Sequence, residues 1–179
     1  MVNLQLGPGY HGAKLKIYQE LVDFNLGNET KEILNQLQTS GRITVQFPMP
    51  CMLNPKYMIG NPEGEVIPFN GGLGNAWFIN EIKTVADTDA EMNAMSGLNP
   101  DSTAVIQSKF TDGLSPNYSS EGSIELMHYQ PNKLTYATNN SEAAFAVFSE
   151  IYYPAGWNAY IDGKLSEHVK ANYILRGLH

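Results

Sequence analysis

The sequence predicts an α+β protein, with an N-terminal helical hairpin and a mixed α/β segment packed on a C-terminal antiparallel β-sandwich. Two observations point there. Residues 13–41 repeat apolar side chains at helical spacing, whereas residues after about 116 fall into short runs of alternating polarity separated by turn residues. The clearest of these lies in AAFAVFSEIYYPAGWNAYIDGK, Ala143–Lys164. A mostly apolar strand ends at Tyr152-Tyr153 and breaks at Pro154-Ala155-Gly156. Trp157, Ala159 and Ile161 then alternate with Asn158, Tyr160 and Asp162 into the pair Asp162-Gly163. Asp-Gly beside period-two alternation marks a tight hairpin, because the favoured turn needs φ > 0 at both central residues.

Residues 1–12 read as an irregular lead-in. Leu15, Tyr18, Leu21 and Val22 make one apolar stripe, and Gly27 is placed to end that helix. Asn28 can cap a second helix through Gln38, with Ile33, Leu34 and Leu37 inward and Gly41 closing it. Arg42–Phe47 alternates as a strand, and Pro48 and Pro50 limit its extension, since proline cannot donate to a sheet ladder. Short strands are expected at Lys56–Ile59 and Glu65–Ile67, and one more buried strand over Asn75–Thr84. Thr88 and Glu91 have capping-box spacing for a helix carrying Met92 and Met95 and ending at Gly97. Thr103–Gln107 is the next strand. SIELMHYQ, KLTYAT, AAFAVFSEIYY, WNAYI and KLSEHV come after it at sandwich-like intervals. The expected division is a helix-containing region over residues 1–115 and a sandwich region over 116–179, or one continuous domain. The run Arg176-Gly177-Leu178-His179 stops straight after a strand-like stretch, which reads as a piece cut from a longer protein.

Composition narrows the function. A net charge of -7 argues against binding nucleic acid through its phosphates. Cys51 is the only cysteine, so no internal disulfide forms. No apolar run approaches the roughly 20 residues that span a bilayer, and no signal peptide is visible after Met1.

Motifs for chemistry are sparse. Gly71-Gly72-Leu73-Gly74 lacks the Lys-Ser/Thr of a phosphate loop and reads as an ordinary flexible loop. His11, His128, His168 and His179 have no metal-ligand spacing, and no cofactor or metal is expected. Cys51 has no local base, and there is no GxSxG elbow. Glu125, Glu150 and Asp162 could in principle pair as glycosidase carboxylates, but turn or surface roles explain each. The binding candidate is the aromatic group Tyr152, Tyr153, Trp157 and Tyr160, whose rings could stack on the C–H faces of a sugar. Against it stands core filling by Trp157 and at least one tyrosine, which the energetics of ring burial favour.

Five blocks carry a family resemblance. GYHGAKLKIYQELVD (Gly9–Asp23), MLNPKYMI (Met52–Ile59), LGNAWFINEIK (Leu73–Lys83), FSEIYYPAGWNAYIDGK (Phe148–Lys164) and ANYILRGL (Ala171–Leu178) resemble, in order, the bacterial YfhO-like membrane protein family. Ala155 departs from it as an extra residue in a Tyr-Pro-Gly-Trp pattern. The family's members are large polytopic proteins similar to GT-C-type glycosyltransferases that use lipid-linked sugars. The resemblance implies a soluble extracytoplasmic region at the cell membrane, following most of the membrane helices and partnered by the membrane portion of the same polypeptide. It implies no catalytic residue here. The expected role is to bind or position a glycan or lipid-linked sugar, and the alternative is a structural module that packs on the membrane portion or on a partner protein.

Overall fold

The computed structural model describes residues 16–41, 47–59 and 66–179, and the chain forms two compact units, Met1–Leu73 and Gly74–His179. The expected lead-in, residues 42–46 of the expected strand Arg42–Phe47, and Glu65 lie outside the described residues.

In the first unit the expected helical hairpin is replaced by one continuous helical run. Helix α1 (Lys16–Leu21) passes through a π-helical turn (Val22–Leu26) straight into α2 (Gly27–Ser40). Gly27 does not break the helix, because its backbone is right-handed (φ -63°, ψ -38°) and its N–H reaches back to Val22 O, the wide bond of a π turn. A Cβ at this position would sit 2.8 Å from that carbonyl oxygen, so glycine is what lets the wide turn close. Gly41 ends the helix as expected, left-handed at φ 69° with its N–H on Leu37 O.

Helix α3 (Pro48–Leu53) is wholly buried, and Pro48 occupies the first helical turn, where a missing N–H costs nothing. Strands β1 (Tyr57–Ile59) and β2 (Val66–Pro68) pair antiparallel. Ile33, Phe47, Cys51, Met58 and Phe69 form a buried cluster with Leu37 and Leu73 against it. The glycine run is packed rather than loose over Gly71–Leu73. A Cβ on Gly72 would collide with the Asn54 side chain, and Leu73 N–H bonds Cys51 O.

In the second unit the expected single strand Asn75–Thr84 is two strands in two sheets, β3 (Ala76–Ile79) and β4 (Glu81–Val85). The chain turns at Asn80, where the N–H groups of Asn80 and Glu81 both bond Ser102 O. Helix α4 (Thr88–Ala94) and strand β5 (Thr103–Gln107) follow, and β4 pairs parallel with β5. Next come β6 (Ser123–Gln130), β7 (Lys133–Asn139), β8 (Phe145–Ile151), β9 (Ala159–Ile161), β10 (Lys164–Ser166), β11 (Val169–Ala171) and β12 (Leu175–Leu178).

The main sheet is antiparallel, in the order β11-β12-β8-β3, so strands from both sides of residue 115 share it. β6–β7 and β9–β10 are separate two-stranded ribbons. The architecture is therefore mixed helix and sheet, with one four-stranded sheet and several ribbons. On one face of the sheet Phe145, Val147, Trp77 and Ile79 are buried, and Trp77 Nε1 donates to Pro100 O at 2.7 Å. On the other face Tyr136 of β7 meets Phe148 of β8 edge-on, with ring centroids 5.0 Å apart.

Glu91 of α4 anchors this unit. The expected capping box is not made, because Asp87 is the N-cap and its side chain accepts from Ala90 N–H. The Glu91 carboxylate is instead fully buried. It accepts from Lys170 Nζ and Gln107 Nε2, both at 2.6 Å, and from Tyr173 N–H at 2.9 Å. Between β11 and β12, Asn172 and Tyr173 are both left-handed, at φ 49° and 69°. The Asn172 backbone and side chain exchange two 2.8 Å hydrogen bonds with Val105, which gives this turn a partner on β5.

Candidate functional site

The aromatic segment after β8 is shaped by its punctuation. Pro154 cannot continue the ladder, and Gly156 N–H bonds back to Tyr153 O at 3.2 Å. A Cβ on Gly156 would lie 2.5 Å from the Tyr153 ring, so the glycine lets that ring approach the backbone closely. After Ala159–Ile161 the turn forms as expected, with Asp162 at φ 49° and Gly163 at φ 77°.

The four candidate rings have separate surroundings. Tyr152 is half-buried, edge-on to Phe110 at 6.0 Å and to His168 at 5.4 Å. Trp157 is half-buried beneath the Arg176 guanidinium, whose carbon is 4.4 Å from the ring centroid. Tyr153 and Tyr160 face solvent at 54% and 60% exposure, which leaves them alone of the four free to meet a ligand. Tyr160 lies directly opposite Leu165 on the β9–β10 ribbon, so both project from the same face, and Leu165 is 69% exposed.

Arg176 organises the buried half of the corner. Its Nε donates to Ile151 O at 3.0 Å, and a terminal nitrogen stands 4.0 Å from Glu150 Oε2. Burial draws the guanidinium below its usual range, opposed by the neighbouring Glu150. Burial pushes the Tyr136 phenol up to about 12, with Glu150 adding to the rise, so it stays protonated. Among the described residues its buried hydroxyl has no hydrogen-bond partner, and neither has the buried Nε2 of His168. Burial, then the Arg176 charge, holds His168 below the ordinary imidazole range, which keeps the ring neutral.

Of the other acidic candidates, Asp162 is an exposed turn residue and Glu125 an exposed strand residue. Among the described residues no group of three or more His, Cys, Asp or Glu side chains could hold a metal ion. Sequence reasoning missed Arg176. It is 19 positions beyond Trp157 (176 − 157) and reaches the ring only because β12 pairs with β8. No local spacing announces such a contact. No protein-family model, curated protein or solved structure matches this chain.

Proposed function

We propose that this chain is a non-catalytic extracytoplasmic domain of a YfhO-like, glycosyltransferase-type membrane protein, and that it binds or positions a glycan or lipid-linked sugar. The supporting observation is the pair of exposed rings, Tyr153 and Tyr160, on a corner where the Arg176 guanidinium packs on the Trp157 ring. Preorganised rings cost little conformational entropy on binding. In this reading the β6–β7 ribbon over the four-stranded sheet is the start of the expected sandwich, and the membrane portion of the same polypeptide is its neighbour. Among the described residues no helix is long and apolar enough to cross a membrane. Membrane attachment would then come from segments other than these.

The test is a glycan array read with the parent chain and with a Tyr153→Ala, Tyr160→Ala double variant. Both positions are exposed, so the variant keeps its fold, whereas Trp157 carries Arg176 and is left in place. Affinity for the bound glycan should fall at least about tenfold in the variant, roughly the 1.4 kcal/mol of one stacked ring. Undiminished binding by the double variant would remove the corner. The absence of any glycan ligand for the parent would favour the second reading, a structural module that packs on the membrane portion or on a partner protein. That reading has its own observation. Tyr160 and Leu165 share an apolar face on a ribbon that no third strand joins among the described residues.

A further inference from the structure

We propose that a second site, separate from the aromatic corner, is a saccharide subsite: the open cleft lined by Ser115, Asn117, Tyr118, Ser119, Glu142 and His179. Its volume is about 500 Å³, within the usual range for small-ligand sites. The cleft lies wholly in the Gly74–His179 unit, and the Tyr118 ring that helps line it is held in place. Tyr118 N–H bonds Asn80 O at 2.8 Å, and its hydroxyl accepts from Ser115 N–H at 2.9 Å. The ring packs on Phe145 at 5.7 Å and on His179 at 5.4 Å. The loop beneath is tied down as well, since Ile82 N–H bonds Pro116 O and Ser115 Oγ donates to Asn117 O. An aromatic ring held by its backbone, its hydroxyl and both flanking rings is preorganised.

The polar groups at its edge are uncommitted. Tyr118 oxygen accepts a bond, which leaves its proton to donate, while the Asn117 carboxamide and the Glu142 carboxylate make no hydrogen bond or ion pair with the described residues. Asn140 Nδ2 donates to Glu142 O, which fixes that side of the cleft at its backbone. A carboxylate accepts from two neighbouring hydroxyls, a carboxamide both donates and accepts, and a ring takes a C–H face. Together these suit one pyranose residue. The carboxylate disfavours phosphate and other anions. A quaternary ammonium is best held by a cage of several rings, and here one phenol and one imidazole line the site.

The experiment is a backbone amide NMR titration of the whole chain with glucose, galactose and N-acetylglucosamine, and with tetramethylammonium as the competing chemistry. Saturable shifts at the amides of Asn117, Tyr118 and Ser119 with at least one sugar are expected. They should weaken at least tenfold in Glu142→Gln and Asn117→Ala, both exposed positions, and persist in Tyr153→Ala, Tyr160→Ala. Persistence there separates this cleft from the corner. No sugar-dependent shift at these amides, or a response to tetramethylammonium alone, overturns the proposal.

Discussion

Each unit holds a glutamate against a distant element, and the two carboxylates are treated in opposite ways. In Met1–Leu73, Glu29 accepts one backbone N–H among the described residues, from Met49 at 2.9 Å, and burial pushes its carboxyl up to about 7. In Gly74–His179, Glu91 is completely buried, yet it receives an ammonium, a carboxamide and a backbone N–H. A carboxylate that loses its water needs donors in return, and three donors including a cation are a far better replacement than one. Glu29 therefore answers partial burial by holding its proton near neutrality. Glu91 lies in a finished network that joins α4, β5, β11 and the turn before β12.

The largest effect expected from this contrast is at Glu91. Glu91→Ala leaves the Lys170 ammonium buried without its partner and frees the Tyr173 N–H in a left-handed turn. The cost should be about 3–5 kcal/mol. A Glu91→Leu, Lys170→Met double variant should recover much of it, because an apolar pair of similar volume removes both charges. Both tryptophans, Trp77 and Trp157, lie in this unit, so urea unfolding followed by their fluorescence reports on it directly. A loss below about 1 kcal/mol for Glu91→Ala would mean that the network is incidental.

A second, smaller effect separates the units by pH. Glu29 has a folded-state pKa near 7 against an ordinary 4.5, so the folded state holds the extra proton between those values. Its contribution is complete below about pH 4.5 and is lost as pH rises through about 7. His168 has the opposite sign. Its folded value lies below 6.5, so its contribution is present above that pH and is lost on acidification. Between about pH 5 and pH 8 the helical far-UV signal of the first unit should melt earlier as pH rises. Glu29→Gln should flatten that slope. If the slope survives the substitution, another group is responsible.

What was legible in the sequence was local. The strands SIELMHYQ and KLTYAT and the turn Asp162-Gly163 arise from alternation and turn chemistry within a few residues, and they form as read. What was not legible depended on partners far along the chain. Glu91 has capping-box spacing, but a lysine 79 positions away takes the carboxylate, and Asp87 does the capping instead. Asn75–Thr84 reads as one apolar strand, and only pairing to β8 on one side and β5 on the other divides it at Asn80. At the candidate site, ring energetics favoured burying Trp157 and at least one tyrosine, but which tyrosines stay exposed, Tyr153 and Tyr160, was equally invisible. Phe110, His168 and Arg176 decide which rings remain free.

The smallest effect tests how Glu29 comes to face Met49 at all. A π turn inserts one residue into the helical phase, so everything after Val22–Leu26 is rotated relative to an ordinary helix. Glu29 lies three positions beyond that turn (29 − 26). Glycine to alanine inside an ordinary helix should gain up to about 1 kcal/mol. At Gly27 the added methyl would meet the Val22 carbonyl oxygen, so the wide turn must open or relax to a normal α turn. Gly27→Ala should accordingly give no gain in the thermal midpoint of the helical signal. It should also reduce the pH slope assigned to Glu29, because the carboxyl swings away from the site that buries it. A gain of about 1 kcal/mol with the slope intact would show that the helix places Glu29 without help from the glycine.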